Sequence, residues 1–127
     1  MHIERIDHFV LTVRDIDATC DFYAIALGME RVDFGAGRTA LKFGQQKINL
    51  HRAGHELEPK SAKPTPGSGD FCLITKTPID DVVAHLKSAG IVIEYLPSPR
   101  TGAIGPITSV YFRDPDDNLI EVSTYDE

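Results

Sequence analysis

The sequence contains no tryptophan, only two methionines and two cysteines, and its basic residues are outnumbered, 13 against 19 acidic ones. Each shortage excludes something. Cys20 and Cys72 stand far apart with no CxxC pair, so neither a disulfide scaffold nor a cysteine-rich zinc site is expected, and both read as reduced core thiols. A formal net charge of −6 lacks the basic footprint that phosphate backbones require, which argues against a nucleic acid partner. No apolar run approaches the roughly 20 residues that span a bilayer, so no membrane partner is expected. The opening "MHIERIDHF" is charged and passes at once into a strand pattern, unlike a secretory leader, and predicts a cytoplasmic location. G-x-S-x-G, the P-loop, G-x-G-x-x-G and H-E-x-x-H are also missing, which removes support for serine hydrolase, nucleotide-binding and zincin readings.

What remains is the composition of one ordinary globular domain: 127 residues, 42% hydrophobic and 25% charged. In "IDHFVLTVRDI" the residues Phe9, Leu11 and Val13 alternate with His8, Val10 and Thr12, the period of a strand with two distinct faces. "RDIDATCDFYAIALGM" follows with helical spacing, an N-cap at Asp15 or Asp17 and Gly28 as its stop. "RVDF", "TALKFG" and "QKINLH" then read as three strands. From Gly54 the composition turns to "GHELEPKSAKPTPGSG", a linker over 54–67.

Beyond the linker the same order returns. "GDFCLIT" reads as a strand, and "TPIDDVVAHLKSAG" as a helix with Thr77 as N-cap, Pro78 in the first turn and Gly90 at the end. "IVIEYL", "SVYFRD" and "NLIEVS" complete the set. A shift of 62 residues brings Asp70 onto His8, Leu73 onto Leu11 and Gly90 onto Gly28, and a larger shift brings Glu121 onto Asn49. The prediction is therefore an α+β chain of two tandem βαβββ modules, near 1–53 and 68–127, whose cupped sheets surround a central pocket.

Face assignment turns this repeat into chemistry. Phe9, Leu11, Val13, Ile48, Leu50, Phe71, Leu73, Ile120 and Val122 share apolar faces suited to covering the helices. The opposite faces carry His8, Asn49, His51, Asp70 and Glu121, with Thr12 and Ser123. Imidazole and carboxylate are the usual protein ligands of Zn²⁺, Fe²⁺, Mn²⁺ and Ni²⁺. His8, His51 and Glu121 form the predicted metal set, and Asp70 is a fourth ligand, a base, or a cap for the loop "PGSGD". Arg100, in the Gly/Pro-rich "PSPRTGAIGP", is either a solvated loop residue or a contact for an anionic substrate group. His2, His55 and His85 read as surface residues, and "RDPDDN" as a turn.

The segments "IDHFVLTVRDIDATCDFYAIALGM" and "VYFRDPDDNLIEVS" resemble the vicinal oxygen chelate superfamily, which includes glyoxalase I, bleomycin-resistance proteins and extradiol dioxygenases. "KINLHRAG" and "RTGA" are most similar to small glyoxalase-domain proteins. The resemblance implies paired βαβββ modules around one divalent ion (Zn, Ni, Mn or Fe), with ligands from the first and last strands of each module. Carried over, these are His8, the His51 end of the fourth strand, Asp70 and Glu121. Glyoxalase I has a carboxylate where this chain has Asn49, and His or Gln where it has Asp70. The implied function is a glyoxalase-like lyase or isomerase working through a metal-stabilised enediolate on a small substrate with vicinal oxygens. Glu121 or Asp70 would be its base, and Arg100 and Asn49 would be substrate contacts. An extradiol-type dioxygenase and a metal-free small-molecule binding protein are the other readings, and a homodimer is the expected assembly.

Overall fold

The computed structural model describes residues 1–126, which divide into two compact units, Met1–Gly67 and Ser68 onward. The first unit runs β1 (His8–Val13), α1 (Ile16–Leu27), β2 (Glu30–Phe34), β3 (Arg38–Phe43) and β4 (Gln46–Arg52). Its sheet has the order β1-β4-β3-β2, with β1 parallel to β4 and the other pairs antiparallel. α1 starts at Asp15, whose carboxylate accepts the Ala18 N–H at 3.0 Å. It stops at Gly28, whose φ of 67° is a left-handed conformation that costs glycine nothing. Between these caps the helix buries Thr19, Cys20, Tyr23 and Ala26 on the sheet. The sheet answers with Leu11, Val13, Leu41, Ile48 and Leu50, all 5% exposed or less. Each such aliphatic side chain contributes on the order of 1.5–3 kcal/mol when taken out of water.

The second unit repeats the order as β5 (Asp70–Ile74), α2 (Ile79–Ser88), β6 (Ile93–Thr101), β7 (Pro106–Arg113) and β8 (Leu119–Tyr125). Its sheet, β5-β8-β7-β6, is also closed by a parallel pair, β5 with β8. The architecture is thus α+β, with two four-stranded mixed sheets that each carry one helix. α2 begins one residue later than the sequence suggests. Pro78 occupies the cap position without a side-chain bond, and its carbonyl accepts the N–H groups of Asp81 and Val82. Thr77 instead donates its own N–H to Thr75 Oγ1. Asp80 and Asp81 put negative charge in the first turn, where the helix dipole favours it.

Two local features fix the second sheet. β6 is an edge strand that holds Pro97 and Pro99, residues with no N–H to give, and its pairing with β7 shifts register twice. Arg100 is therefore a strand residue, not a loop residue. Between β7 and β8, Asp114 Oδ1 accepts the N–H groups of Asp116 and Asn118, and Asp117 takes a positive φ of 67°. Asn118, 1% exposed, donates to Asp114 Oδ2 at 2.8 Å and accepts the Gly69 N–H at 2.7 Å, which ties the turn to the start of β5. The turn expected at "RDPDDN" is there, and it holds the chain just before Asp70.

Candidate functional site

In the first unit, β1 and β4 pair in register, so each pair of partners projects to the same side of the sheet. Phe9 pairs with Ile48 and Leu11 with Leu50 on the side covered by α1. His8 pairs with Lys47, Val10 with Asn49 and Thr12 with His51 on the opposite side. β3 adds Ala40 beside Asn49, and β2 adds Val32 beside Ala40. Across this face Lys47 reaches Phe34, its Nζ lying 3.8 Å from the ring centroid.

The same register separates two of the predicted metal ligands. His51 lies beside Thr12, four residues along β1 from His8. At about 3.3 Å per residue that is roughly 13 Å, against a metal–nitrogen bond of about 2 Å. His8 and His51 share a face but lie at opposite ends of it. His8 has Lys47 directly beside it on β4, and Asn49 two residues off in register, within diagonal reach across the strand pair.

His8 is 45% exposed at its side chain, and its Nδ1 stands 2.7 Å from Asp7 Oδ1. The bond to His8 is the main cause that holds the Asp7 carboxyl below its ordinary range. Asn49 is buried, and its Oδ1 has no hydrogen-bond partner. His51, also buried, lines a cavity with Val10, Thr12, Pro59, Lys60, Ser61 and Pro64. The linker 54–67 therefore belongs to the first unit and folds over one end of this face.

The second unit carries a matching face. Cys72 pairs with Glu121 as Val10 pairs with Asn49, and Asp70 is diagonal to Glu121 as His8 is to Asn49. Phe71 and Leu73 share the other side with Ile120 and Val122. Glu121 is fastened to its own sheet. Ser109 Oγ donates to its Oε2 at 2.6 Å, Ser123 Oγ approaches the same atom at 3.3 Å, and the two serine hydroxyls bond each other at 2.6 Å. Tyr111, lateral to Glu121 on β7, accepts the Arg100 Nε–H at 3.0 Å and packs edge-on against Tyr95. Burial raises the Tyr111 phenol, and Arg100 opposes that shift.

Tyr111, Ser109 and Ser123 thus form the setting of Glu121. Strand alternation puts them on its face, but small and aromatic side chains carry no ligand signature in a sequence. Cys72 is a correction: it is exposed on the Glu121 face, with Sγ 3.2 Å from Ser123 Oγ, whereas Cys20 is the buried thiol. Asp70 is exposed at the first position of β5, and the "PGSGD" loop is capped by Asn118. His2, His55 and His85 are exposed, as expected. Within neither unit, among the described residues, do three His, Cys, Asp or Glu side chains gather around one point.

Residues 5–122 match the family model of the glyoxalase/bleomycin resistance protein/dioxygenase superfamily. The chain belongs to this superfamily. A virulence protein of Salmonella typhimurium is 58% identical over 98% of this chain and 87% of its own length. The crystal structure of that virulence protein superposes with a TM-score of 0.98 at 57% identity, covering 99% of this chain and all of the other. A glyoxalase domain-containing protein of Mycosarcoma maydis is 51% identical over 100% of this chain and 72% of its length. A lactoylglutathione lyase of Agrobacterium tumefaciens shares the fold at a TM-score of 0.73 and 26% identity, over 96% of this chain and 94% of that one. Superfamily membership thus agrees with the resemblance carried by the two end segments. No helix among the described residues is long and apolar enough to cross a membrane.

Proposed function

We propose that the protein is a metal-dependent lyase or isomerase that acts on a small substrate with vicinal oxygens. The observation that carries this reading is the setting of His8. A carboxylate on Nδ1 is the usual way a protein fixes a ligating histidine, because it sets the tautomer and leaves Nε2 for the metal. Diagonal to His8, the unpartnered Asn49 Oδ1 is a buried acceptor, a condition that costs on the order of 1–3 kcal/mol until a cation or donor meets it. Imidazole, carboxylate and amide oxygen form a donor set that suits Zn²⁺, Mn²⁺, Fe²⁺ or Ni²⁺.

In this reading His8 is a ligand, and Asn49 turns its oxygen to the ion or to substrate. A divalent ion, when bound, supplies Lewis-acid polarisation of a vicinal oxygen pair. The two carboxylates divide their roles by restraint. Glu121 is held fixed by Ser109 and Ser123. Asp70, exposed and one methylene shorter, is the proton acceptor for the carbon alpha to a carbonyl. Arg100, steadied by its bond to Tyr111, binds an anionic substrate group. The lyase named among the fold relatives supports this reaction class. The dioxygenase reading needs a second histidine beside the first, and the register moves His51 away. The working form is proposed to be a homodimer, a common state in the superfamily.

The test is metal-stripped protein reloaded with Mn²⁺, Ni²⁺ or Zn²⁺ and assayed on the adduct of methylglyoxal and glutathione. Turnover that appears only after reloading, and that Asp70→Asn lowers by roughly 100-fold with metal retained, supports the reading. Metal-independent turnover, or full activity in Asp70→Asn, overturns it.

A further inference from the structure

Of the 13 lysines and arginines in the chain, eleven are exposed, and the two that are half-buried, Arg38 and Lys47, lie in the same unit. Both project onto the face of His8 and Asn49. Lys47 stands two residues before Asn49 on β4, and Arg38 stands two residues before Ala40, the partner of Asn49 on β3. Phe34 links the two. It is the register partner of Arg38, and the Lys47 Nζ lies over its ring, 3.8 Å from the centroid. Lys47 starts beside Lys42 and His8, so its side chain runs across the sheet. A surface lysine would instead carry its charge out to water.

Neither cation is compensated. Arg31, Lys60 and Arg113 each pair with a carboxylate, but among the described residues none lies within ion-pair distance of Arg38 or Lys47. The nearby acids are engaged elsewhere. Asp7, on which Lys47 acts electrostatically, is bonded to His8, and Glu30 stands beside Lys42. Asp33 projects to the other side of the sheet, where Thr39 and Arg31 bond it, and Glu58 is paired with Lys60. Taking an unpaired charge even partly out of water is costly, and the aromatic contact offsets that cost for Lys47 alone.

We infer that Arg38 and Lys47 form a binding site for a doubly charged oxyanion, a phosphoryl group or a dicarboxylate, whose organic part lies against Phe34. Two positive charges match a dianion. The guanidinium supplies paired donors in a plane, and the ammonium supplies a point charge with three donors. The site lies wholly within the first unit. It is additional to the acidic group assigned to Arg100 on the second sheet, and it does not require the metal.

The experiment uses full-length, metal-stripped protein at constant ionic strength and about pH 8, where a phosphoryl group carries two charges. Inorganic phosphate, malonate, acetate and ethylamine are titrated while the Phe34 ring signals are followed by NMR. Phosphate or malonate should give saturable shifts, and the tighter of the two identifies the phosphoryl or the dicarboxylate class. Acetate should bind roughly tenfold more weakly or worse, and ethylamine not at all. Lys47→Met and Arg38→Gln should each weaken the tighter probe roughly tenfold or more, the usual worth of a charge-assisted bond. Arg38→Lys, which keeps the charge, should retain part of the affinity. Lys63→Met removes an exposed charge from the same unit and should leave the affinity unchanged. Absence of saturable shifts with both dianions, equal affinity for acetate or ethylamine, or full affinity in Lys47→Met would each overturn the inference. All of these are read without metal or turnover, so the preceding reading is tested separately.

Discussion

Replacing Asn118 by alanine tests whether the β7–β8 turn holds the start of β5. The side chain is 1% exposed and makes two bonds: it accepts from Gly69 N at 2.7 Å and donates to the buried Asp114 carboxylate at 2.8 Å. Losing the first leaves a partly buried amide without its acceptor, worth about 1–3 kcal/mol. Losing the second removes one donor from a charged acceptor, worth about 1.5–3 kcal/mol. The two share one side chain and do not add fully, so the expected loss is roughly 2–4 kcal/mol. For a chain of this length, each kcal/mol moves the midpoint by roughly 3–5 °C, which predicts a fall of about 6–20 °C in thermal unfolding followed by circular dichroism. Asn118→Asp keeps an acceptor for Gly69 but sets a second carboxylate against Asp114. It should be unstable at pH 7 and recover part of the loss as the pH falls and one of the pair protonates. A loss below about 0.5 kcal/mol in Asn118→Ala would refute the turn as the anchor of β5.

Two further outcomes follow from the same geometry. Asp7→Asn should weaken metal binding by roughly 10- to 100-fold, measured by calorimetry, with little change in thermal stability, because it alters only the partner of an exposed His8. Cys72 should be alkylated in the native protein and Cys20 only after unfolding, as followed by mass spectrometry. Burial is the leading cause that raises both thiols above their usual value near 9.0, so the Cys72 rate should still be climbing as the pH passes 9.

Much of the fold was legible because alternation and punctuation are local. Asp15 and Gly28 mark the ends of α1 in the sequence and do so in the structure. The faces of His8, Asn49, His51, Asp70 and Glu121 were legible too, since a period of two assigns sides without any knowledge of partners. What alternation cannot supply is position along the strand. His8 and His51 sit on the same side, yet the parallel register of β1 and β4 puts them at opposite ends of it, and that register is a tertiary property. Cys72 was misread because a thiol between Phe71 and Leu73 looks like core, although its alternation already set it opposite them. Prolines 97 and 99 disguised the second half of β6, beyond the "IVIEYL" strand read from the sequence, since only its edge position makes them tolerable. The 54–67 segment shows a loop composition, and nothing local says that it lines a cavity.

The central proposal is that this chain takes up a divalent ion and that His8 is one of its ligands. Its most direct test is elemental analysis of protein purified without chelator and reloaded with a divalent ion, for the unmodified chain and for His8→Ala and His51→Gln. The account predicts about one ion per chain in the unmodified protein and in His51→Gln, with loss of the ion in His8→Ala and folded spectra throughout. An unmodified chain that takes up no ion, or a His8→Ala protein that keeps it in full, would contradict the account.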